Sequence, residues 1–469
     1  DGQVVLPESN YSSMVLTDLK VGDIIGMKYE NQSSSASEYV STKYQNIISN
    51  LENEPLVLLE EDNLVSKQIP TQPLVFDKNN AFQMTKSVWN KSFDLYHVTS
   101  KNPLYIEPEL YPSDLLFNHS FIVAHNYQSW DEVAKWYWEI ASPKLIADDT
   151  LKNTVQSILK AAKSKKQYEQ AKLIYQWIEK NINYSSQGFR QDNYVPQLPS
   201  KVIDDKLGDC KDLAALFITM CREAGISGHF CLVNMDQRAS MYRQYPNINF
   251  NHCIARIYTD GEPYYVELTS KSLPFAQNVN YATYGYGLEV DPEKISNVSD
   301  LYNAGNGDII YVNSNVKNSE ANVAIDGQIQ IIGMTSAVIK DAFEKIDSSQ
   351  INTAVQKMIN DLVPNINVQN NTYNSNDKGN DTVNITFKGS SHDMFTDVAD
   401  LYVYKLPAFL NKIVEESPFA NTERLTDFSF LQSTGMMLEA VSTVNITIPS
   451  NHKVFKKPDN ATVSNQFFD

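Results

Sequence analysis

The sequence predicts an α+β protein in which a helix-then-strand core is carried between two β-rich domains. Three observations lead there. Residues 150 to 290 run through long helical patterns into β-type segments, as an α+β core should. Residues 1 to 145 and 300 to 469 are instead dominated by short β-type runs bounded by turn residues. A chain of 469 residues with 42% hydrophobic content is long enough for about three domains, each burying its own core.

The elements follow in chain order. In the first domain, PLVLLEED, PLYIEPEL and SFIVAHNY read as short strands, and WDEVAKWYWEI, starting at Trp130, reads as an amphipathic helix. The KAAKSKK run at 160 to 166 reads as a solvated helix face, and AKLIYQWIEKNINYS after it as another helix. From Asp209 the chain reads DCKDLAALFITMCREAG. Leu213, Leu216, Phe217, Met220 and Ala224 fall at helical spacing, Asp209 and Asp212 stand as a capping box, and Gly225 is the stop. In FNHCIARIYTDGEPYYVELTS, Asp260-Gly261 marks a two-residue hairpin between two strands. The stretch YATYGYGLEVDPEK reads as a domain boundary. Beyond it DIIYVNS, VAIDGQIQIIG and EAVSTVNITIP read as strands, TSAVIKDAFEKI and VADLYVYKLPAFLNKIVEE as helical, and NVQNNTYNSNDKGND as an exposed loop.

The chemistry-bearing residues lie in the core. Cys210 occupies the first turn of its helix, on the apolar face, where unpaired backbone N–H groups and the helix dipole favour a thiolate. A thiol so placed becomes a nucleophile when a histidine stands beside it. If Asp260 and Gly261 form the loop, Thr259 pairs with Glu262, Ile254 lies opposite Glu267, and His252 lies opposite Thr269. Strand parity then puts His252, Ile254 and Arg256 on one face with Tyr265, Glu267 and Thr269. Glu267 is the diagonal neighbour of His252 at roughly 7–8 Å, a span its side chain can bridge, and Thr269 is a substitute for that role. Cys210, His252 and Glu267 are the expected nucleophile, base and orienter. The Cys210 amide is the expected oxyanion donor, since helix-start amides point at developing negative charge. The polar stretch NYSSQGFRQDNY offers Gln187 and Tyr184 as candidates for a second.

The order GDCKD at a helix start, then NHCIARIY, then a hairpin into YYVELTS, resembles the core of the transglutaminase-like superfamily. The resemblance spans roughly Ser157 to Ser270. It implies a papain-like Cys-His-Asp triad with Cys210 as nucleophile and His252 as general base. Where the family has Asp, this chain has Glu267. The segments LTDLKVGDIIGMKYE and SWDEVAKWYWEI are similar to an uncharacterised β-sandwich domain that precedes such cores in secreted bacterial proteins. By this resemblance the expected activity is thiol-dependent acyl transfer or amide and peptide hydrolysis, with water or an amine as acceptor. The alternative is an inactive scaffold of the same fold that binds peptide or polysaccharide at the cell surface. On the active reading, Glu267→Asp is expected to keep or raise activity.

Composition removes other classes. A net charge of −17 argues against a nucleic-acid partner. Peptide or protein amides are the expected substrates, with a cell-envelope polymer among them. The chain has no H-E-x-x-H, no G-x-S-x-G and no G-x-x-x-x-G-K-[ST]. Four cysteines in no ligand spacing predict no metal, and no cofactor is expected. Cys221 is about 16 Å along the helix from Cys210, too far to bridge it. Cys231 and Cys253 sit on neighbouring strands where a bridge is conceivable; reduced core thiols are expected. No run of about 18 apolar residues predicts a membrane span. The chain opens at Asp1 without a charged-then-apolar leader, as a cytosolic or a trimmed mature chain would. Few charges and many Asn, Ser, Thr and Tyr favour a secreted or periplasmic setting.

Overall fold

The structure, a computed structural model, describes residues 3–5, 13–15, 20, 42–44, 60–67, 72–76, 82–101, 121–125, 128–185, 194–236, 243, 245–271, 273–279, 281, 285–301, 303, 307–319, 322–363, 366–375, 382–391, 395–398, 401–404, 438–457, 459–460 and 462. By compactness the chain divides into two units, Asp1–Val40 and Ser41–Asp469. In the first, strands β1 (Gln3–Val5) and β2 (Ser13–Val15) pair antiparallel.

The second unit opens with β3 (Thr42–Tyr44), β4 (Glu60–Ser66), β5 (Gln72–Phe76), β6 (Phe82–Val88), β7 (Phe93–Ser100) and β8 (Phe121–His125). They form two three-stranded sheets, ordered β3-β8-β5 and β4-β7-β6. Of the strands expected here, PLYIEPEL lies outside the described residues. The helix expected at Trp130 is α1 (Trp130–Ala141), started by Ser129, whose Oγ accepts from the Glu132 amide at 3.2 Å. Next come α2 (Asp149–Lys160) and α3 (Gln167–Asn181). The KAAKSKK run does not form a helix face: Lys160 ends α2, Lys166 caps α3, and the residues between them make the exposed connection, where lysines stay hydrated.

The core helix is α5 (Cys210–Glu223), reached through β9 (Asn183–Tyr184), α4 (Pro199–Asp205) and β10 (Leu207–Gly208). Its capping box is formed in both directions. Asp209 Oδ1 accepts from the Lys211 and Asp212 amides at 3.1 and 3.2 Å, and Asp212 Oδ2 accepts from the Asp209 amide at 3.1 Å. Gly225, at φ 76°, ends the helix as expected. The helix is buried all round from Cys210 to Cys221, rather than on one stripe. Leu213, Leu216, Phe217, Ile218 and Met220 are each 0–2% exposed, and each contributes about 2 kcal/mol by burial.

That helix lies on a five-stranded antiparallel sheet built from β11 (Ser227–Asn234), β12 (His252–Thr259), β13 (Glu262–Val266), β14 (Tyr286–Val290) and β15 (Val298–Ser299), in the order β13-β12-β11-β14-β15. The hairpin turn is at Asp260-Gly261, both with positive φ, and Thr259 pairs with Glu262 as expected. The stretch read as a boundary supplies β14, so the core sheet continues through it. Gly228 faces Ile218 of α5, and Tyr137 of α1 meets Phe230 edge-on at 5.5 Å, which marks the helix-covered face. The opposite face carries Cys231, Val233, Ile254, Tyr265, Tyr281 and Leu301 in one buried cluster.

A second five-stranded sheet follows, from β16 (Asp308–Ser319), β17 (Asn322–Ile332), β18 (Asn367–Asn374), β19 (Thr382–Ser391) and β22 (Leu438–Thr447), ordered β18-β19-β17-β16-β22. Helices α6 (Met334–Phe343) and α7 (Ser348–Leu362) give Ile339, Phe343, Val355 and Ile359 to its core. The first part of the Asn-rich stretch read as a loop forms β18, because the strongly β-forming β19 offers a free edge and a bulge after Val368 absorbs the poor propensity, while residues 376–381 lie outside the described residues. Part of the expected helix after Val398 is also strand: β20 (Phe395–Val398) and β21 (Leu401–Tyr404) pair antiparallel. There a run of β-branched and aromatic residues outweighs the helical spacing. Among the described residues no helix is long and apolar enough to cross a membrane.

Candidate active site

The site is assembled where the start of α5 meets the start of β12. Parallel pairing of β9 with β10 sets Tyr184 beside Gly208, and the Ser185 amide donates to the Gly208 carbonyl at 2.8 Å. A Cβ on Gly208 would lie 3.0 Å from Asp212 Cβ and 3.2 Å from Val202 Cγ1, so this position takes glycine to let the chain turn into the helix. Cys210 follows as the first helical residue, 2% exposed. The capping bonds of Asp209 go to the second and third amides, leaving the Cys210 amide outside them. Lys211, 1% exposed, pairs its ammonium with Asp209, and Gln197 ties Asp212 from outside the helix through N and Nε2 at 2.8 and 3.0 Å.

His252 is the first residue of β12 and pairs with Val233. Its approach is pinned by Asn251, whose amide donates to the Val233 carbonyl at 3.0 Å and whose Oδ1 accepts from the Met235 amide at 2.8 Å. His252 Nε2 lies 2.8 Å from Glu267 Oε2. Glu267 sits immediately after β13, whose ladder with β12 ends at Ala255–Val266, and its carboxylate reaches His252 from there. Thr269, the expected substitute, is bonded to Glu267. Its amide and Oγ1 each donate to Glu267 Oε1 at 2.7 Å, so it holds the orienter.

Two residues of the site carry no warning in local sequence. Tyr281 donates its hydroxyl to Glu267 Oε2, and its ring stands edge-on to His252 with centroids 5.8 Å apart. Lys211, a charged residue in the first turn of the helix, is buried. The only sequence signal for Tyr281 is an aromatic in a Gly- and Tyr-rich loop fourteen positions after Glu267.

The electrostatics favour a charged histidine. Burial alone would drive the proton off His252, but the Glu267 carboxylate, helped by a hydrogen bond with Cys210, carries it up to about 10. Burial likewise opposes the charge on Glu267, yet His252 and the donors around it hold the carboxyl at about 2. With Nε2 committed to Glu267, Nδ1 is the ring nitrogen left for Cys210. Burial and the negative charge of Cys210, Glu267 and Asp209 push the Tyr184 hydroxyl up to about 12, which places this phenol in the field of the site as a proton-bearing donor. Gln187 lies outside the described residues. Beside Tyr184 a shallow depression has an apolar floor of Ile178, Ile182, Leu213 and Leu268, with Glu179, Thr269 and Lys271 at its rim.

The other three cysteines are buried and free. Cys231 pairs with Ile254 and Cys253 with Leu232, so the two thiols face opposite sides of the sheet and do not bridge. Among the described residues one histidine–carboxylate cluster has metal-like spacing: His229, Glu289 and Asp291, with ligand atoms within 4.8 Å. Arg256 lies 2.9 Å from Glu289 and Lys294 3.1 Å from Asp291, so the positive charge these carboxylates need is already supplied by side chains.

Residues 152–266 match the profile of the transglutaminase-like superfamily. No curated protein matches the chain. Among solved structures, one from Parabacteroides distasonis ATCC 8503, described as "a putative protease", aligns with TM-score 0.43 and 10% identity over 77% of this chain and 71% of that one. Another, from Cytophaga hutchinsonii and described as "a putative cysteine protease", aligns with TM-score 0.22 and 15% identity over 47% of this chain and 70% of that one. The segment similar to the transglutaminase-like superfamily carries Cys210 and His252 and stops one residue short of Glu267.

Proposed function

We propose that this protein is a thiol-dependent amide or peptide hydrolase, or acyl transferase, acting through Cys210, His252 and Glu267. The observation that carries the reading is the 2.8 Å contact of His252 Nε2 with a carboxylate that is itself held by further donors. It keeps the ring protonated and turns its other nitrogen to the thiol. Such an imidazolium favours the thiolate, which is the nucleophilic form. In the first half-reaction Cys210 Sγ bonds to the carbonyl carbon and the C–N bond breaks. The departing nitrogen takes the proton of His252 Nδ1, leaving a thioester. In the second, water loses a proton to His252 as its oxygen bonds to the thioester carbon. The acid departs and the Cys210 thiolate returns. An amine in place of water gives transamidation. The Cys210 amide and the Tyr184 hydroxyl are the candidate donors to the oxyanion.

Burial favours one rival. Cys210, His252 and Glu267 are 2%, 4% and 6% exposed, which suits a non-catalytic scaffold that has sealed its inherited site. Limiting iodoacetamide between pH 5 and 9, with peptide mapping of all four cysteines, separates the two. The enzyme reading requires Cys210 to be labelled first at acidic pH and to lose that preference in His252→Ala. Burial pushes Cys221, Cys231 and Cys253 upward, so they react last. Equal or absent labelling of Cys210 would leave the scaffold. The composition, rich in Asn, Ser, Thr and Tyr, supports a secreted or periplasmic setting with a peptide or cell-envelope polymer as substrate.

A further inference from the structure

We infer that Tyr281 is a positioning residue for this site, whose hydroxyl fixes the Glu267 carboxylate against His252 and keeps it ionised. The inference rests on the triad reading above, but its central measurement does not require catalysis.

Glu267 is 6% exposed and receives four donors. Oε1 takes the amide and hydroxyl of Thr269, both at 2.7 Å, while Oε2 takes His252 Nε2 at 2.8 Å and the Tyr281 hydroxyl. A carboxylate offers about four lone-pair sites. All are used, so the group can neither rotate away from the ring nor easily take a proton. Thr269 is two residues away and follows Glu267 wherever that segment goes. Tyr281 comes from a separate segment, and its ring is packed with Val233, Ile254 and Leu301 against the sheet face that carries His252. Its position is therefore set by the sheet, and it ties Glu267 to that frame. The ring also meets His252 edge-on, closing the side of the imidazole to water. Burial and the adjacent Glu267 push the phenol well up, so it stays a donor.

The test is Tyr281→Phe, which keeps the ring and its packing and deletes one hydroxyl. The side-chain carboxyl signal of Glu267, followed by NMR in protein carrying 13C-labelled glutamate and assigned with Glu267→Gln, should titrate at least one pH unit higher in Tyr281→Phe. Cys210 alkylation, followed below pH 5 into the range where Glu267 takes its proton, should lose its acidic limb in step. At the foot of that limb its rate should fall about tenfold, one unit of pH being a factor of ten, while the rate at pH 7 stays within about twofold. A purely structural tyrosine would lower the unfolding midpoint and scale alkylation equally at every pH. An unmoved Glu267 titration overturns the inference whatever the alkylation does. If wild-type Cys210 proves inert while the carboxyl titration still moves, the catalytic reading fails and the positioning role stands. Should Tyr281→Phe fail to fold, Thr269→Val removes the Oγ1 donor alone. It must then raise the Glu267 titration, and an unchanged value overturns the saturated carboxylate on which the inference depends.

Discussion

Replacing Glu267 by Gln keeps the size and much of the hydrogen bonding of the side chain and removes only its charge. In the native site the carboxyl is held at about 2 against an ordinary 4.5 by His252 together with Tyr281 and Thr269, and one pH unit corresponds to about 1.4 kcal/mol, so the ionised Glu267 with these partners stabilises the core by about 3 kcal/mol. The elevation of His252 to about 10 from 6.5 gives a larger figure for the same contact. Part of that elevation comes from Cys210, and the two figures describe one interaction, so the smaller is used. Their pH dependences differ in sign. The His252 contribution, from a raised group, is complete below pH 6.5 and fades as pH rises through about 10. The Glu267 contribution, from a depressed group, is complete above pH 4.5 and fades as pH falls through about 2. The gap between wild type and Glu267→Gln is therefore widest between pH 4.5 and 6.5. Cys221 and Cys231, each 0% exposed, report core unfolding directly when a thiol pulse label is applied along a urea series. At pH 5.5 the variant should be less stable by about 3 kcal/mol, and by pH 9.5 most of that difference should be gone. A gap that is constant with pH, or below about 1 kcal/mol at pH 5.5, would refute a charged His252–Glu267 pair.

Other consequences are as direct. Asp209→Ala removes the helix cap, worth about 1 kcal/mol, and strands the buried Lys211 ammonium, worth about 3–5 kcal/mol. Urea unfolding should show a loss near the upper figure, and adding Lys211→Met should recover most of it. Tyr184→Phe should lower the acyl-enzyme formation rate by about ten- to a hundredfold at unchanged KM if this phenol meets the oxyanion; an unchanged rate makes it only a wall of the cleft. Glu267→Asp reverses the expectation drawn from sequence. The carboxylate withdraws by about 1.5 Å, one C–C bond, and cannot keep both Thr269 and His252, so labelling of Cys210 at acidic pH should fall. Denatured, unreduced protein should titrate four free thiols, and a Cys231–Cys253 disulfide in peptide maps would contradict the strand register.

What was legible in the sequence is what local rules determine. Asp209, Asp212 and Gly225 bound the helix because caps act within one turn, and Asp260-Gly261 sets a hairpin register from which parity alone carries Glu267 to His252. The same register misread Thr269, because continuing the ladder past Val266 treats as strand a segment that turns back on Glu267 instead. Helical periodicity found the inward face of α5 but had no means of seeing that Lys211 and Asp212 on its other side would be covered. Propensity failed where a neighbour could override it. The Asn-rich β18 is a strand because β19 had an unfilled edge, and β14 enters the core because β11 needed a partner on its second side, more than fifty residues further along the chain.

Tyr281 shows most clearly why a site cannot be read from its motif residues alone. Cys210, His252 and Glu267 were each found by a spacing that brings them close through one helix start and one hairpin. On the proposed reading, the competence of that trio rests on the protonation of His252 in a buried place, and this depends on a carboxylate kept anionic where burial opposes it. Two donors on each oxygen meet that need. One pair comes free with the local turn at Thr269. Of the other, His252 is the group being oriented, so the remaining bond must come from elsewhere in the fold. A tyrosine suits it, since its hydroxyl donates without competing for the proton and its ring packs with Val233, Ile254 and Leu301. Glu267 is therefore best viewed as fitted to this frame. Its length is matched to Tyr281 and Thr269 as much as to His252, so changes at Tyr281 and at Glu267 should be non-additive in a double-mutant cycle. Additive losses in such a cycle would mean that the two groups act independently.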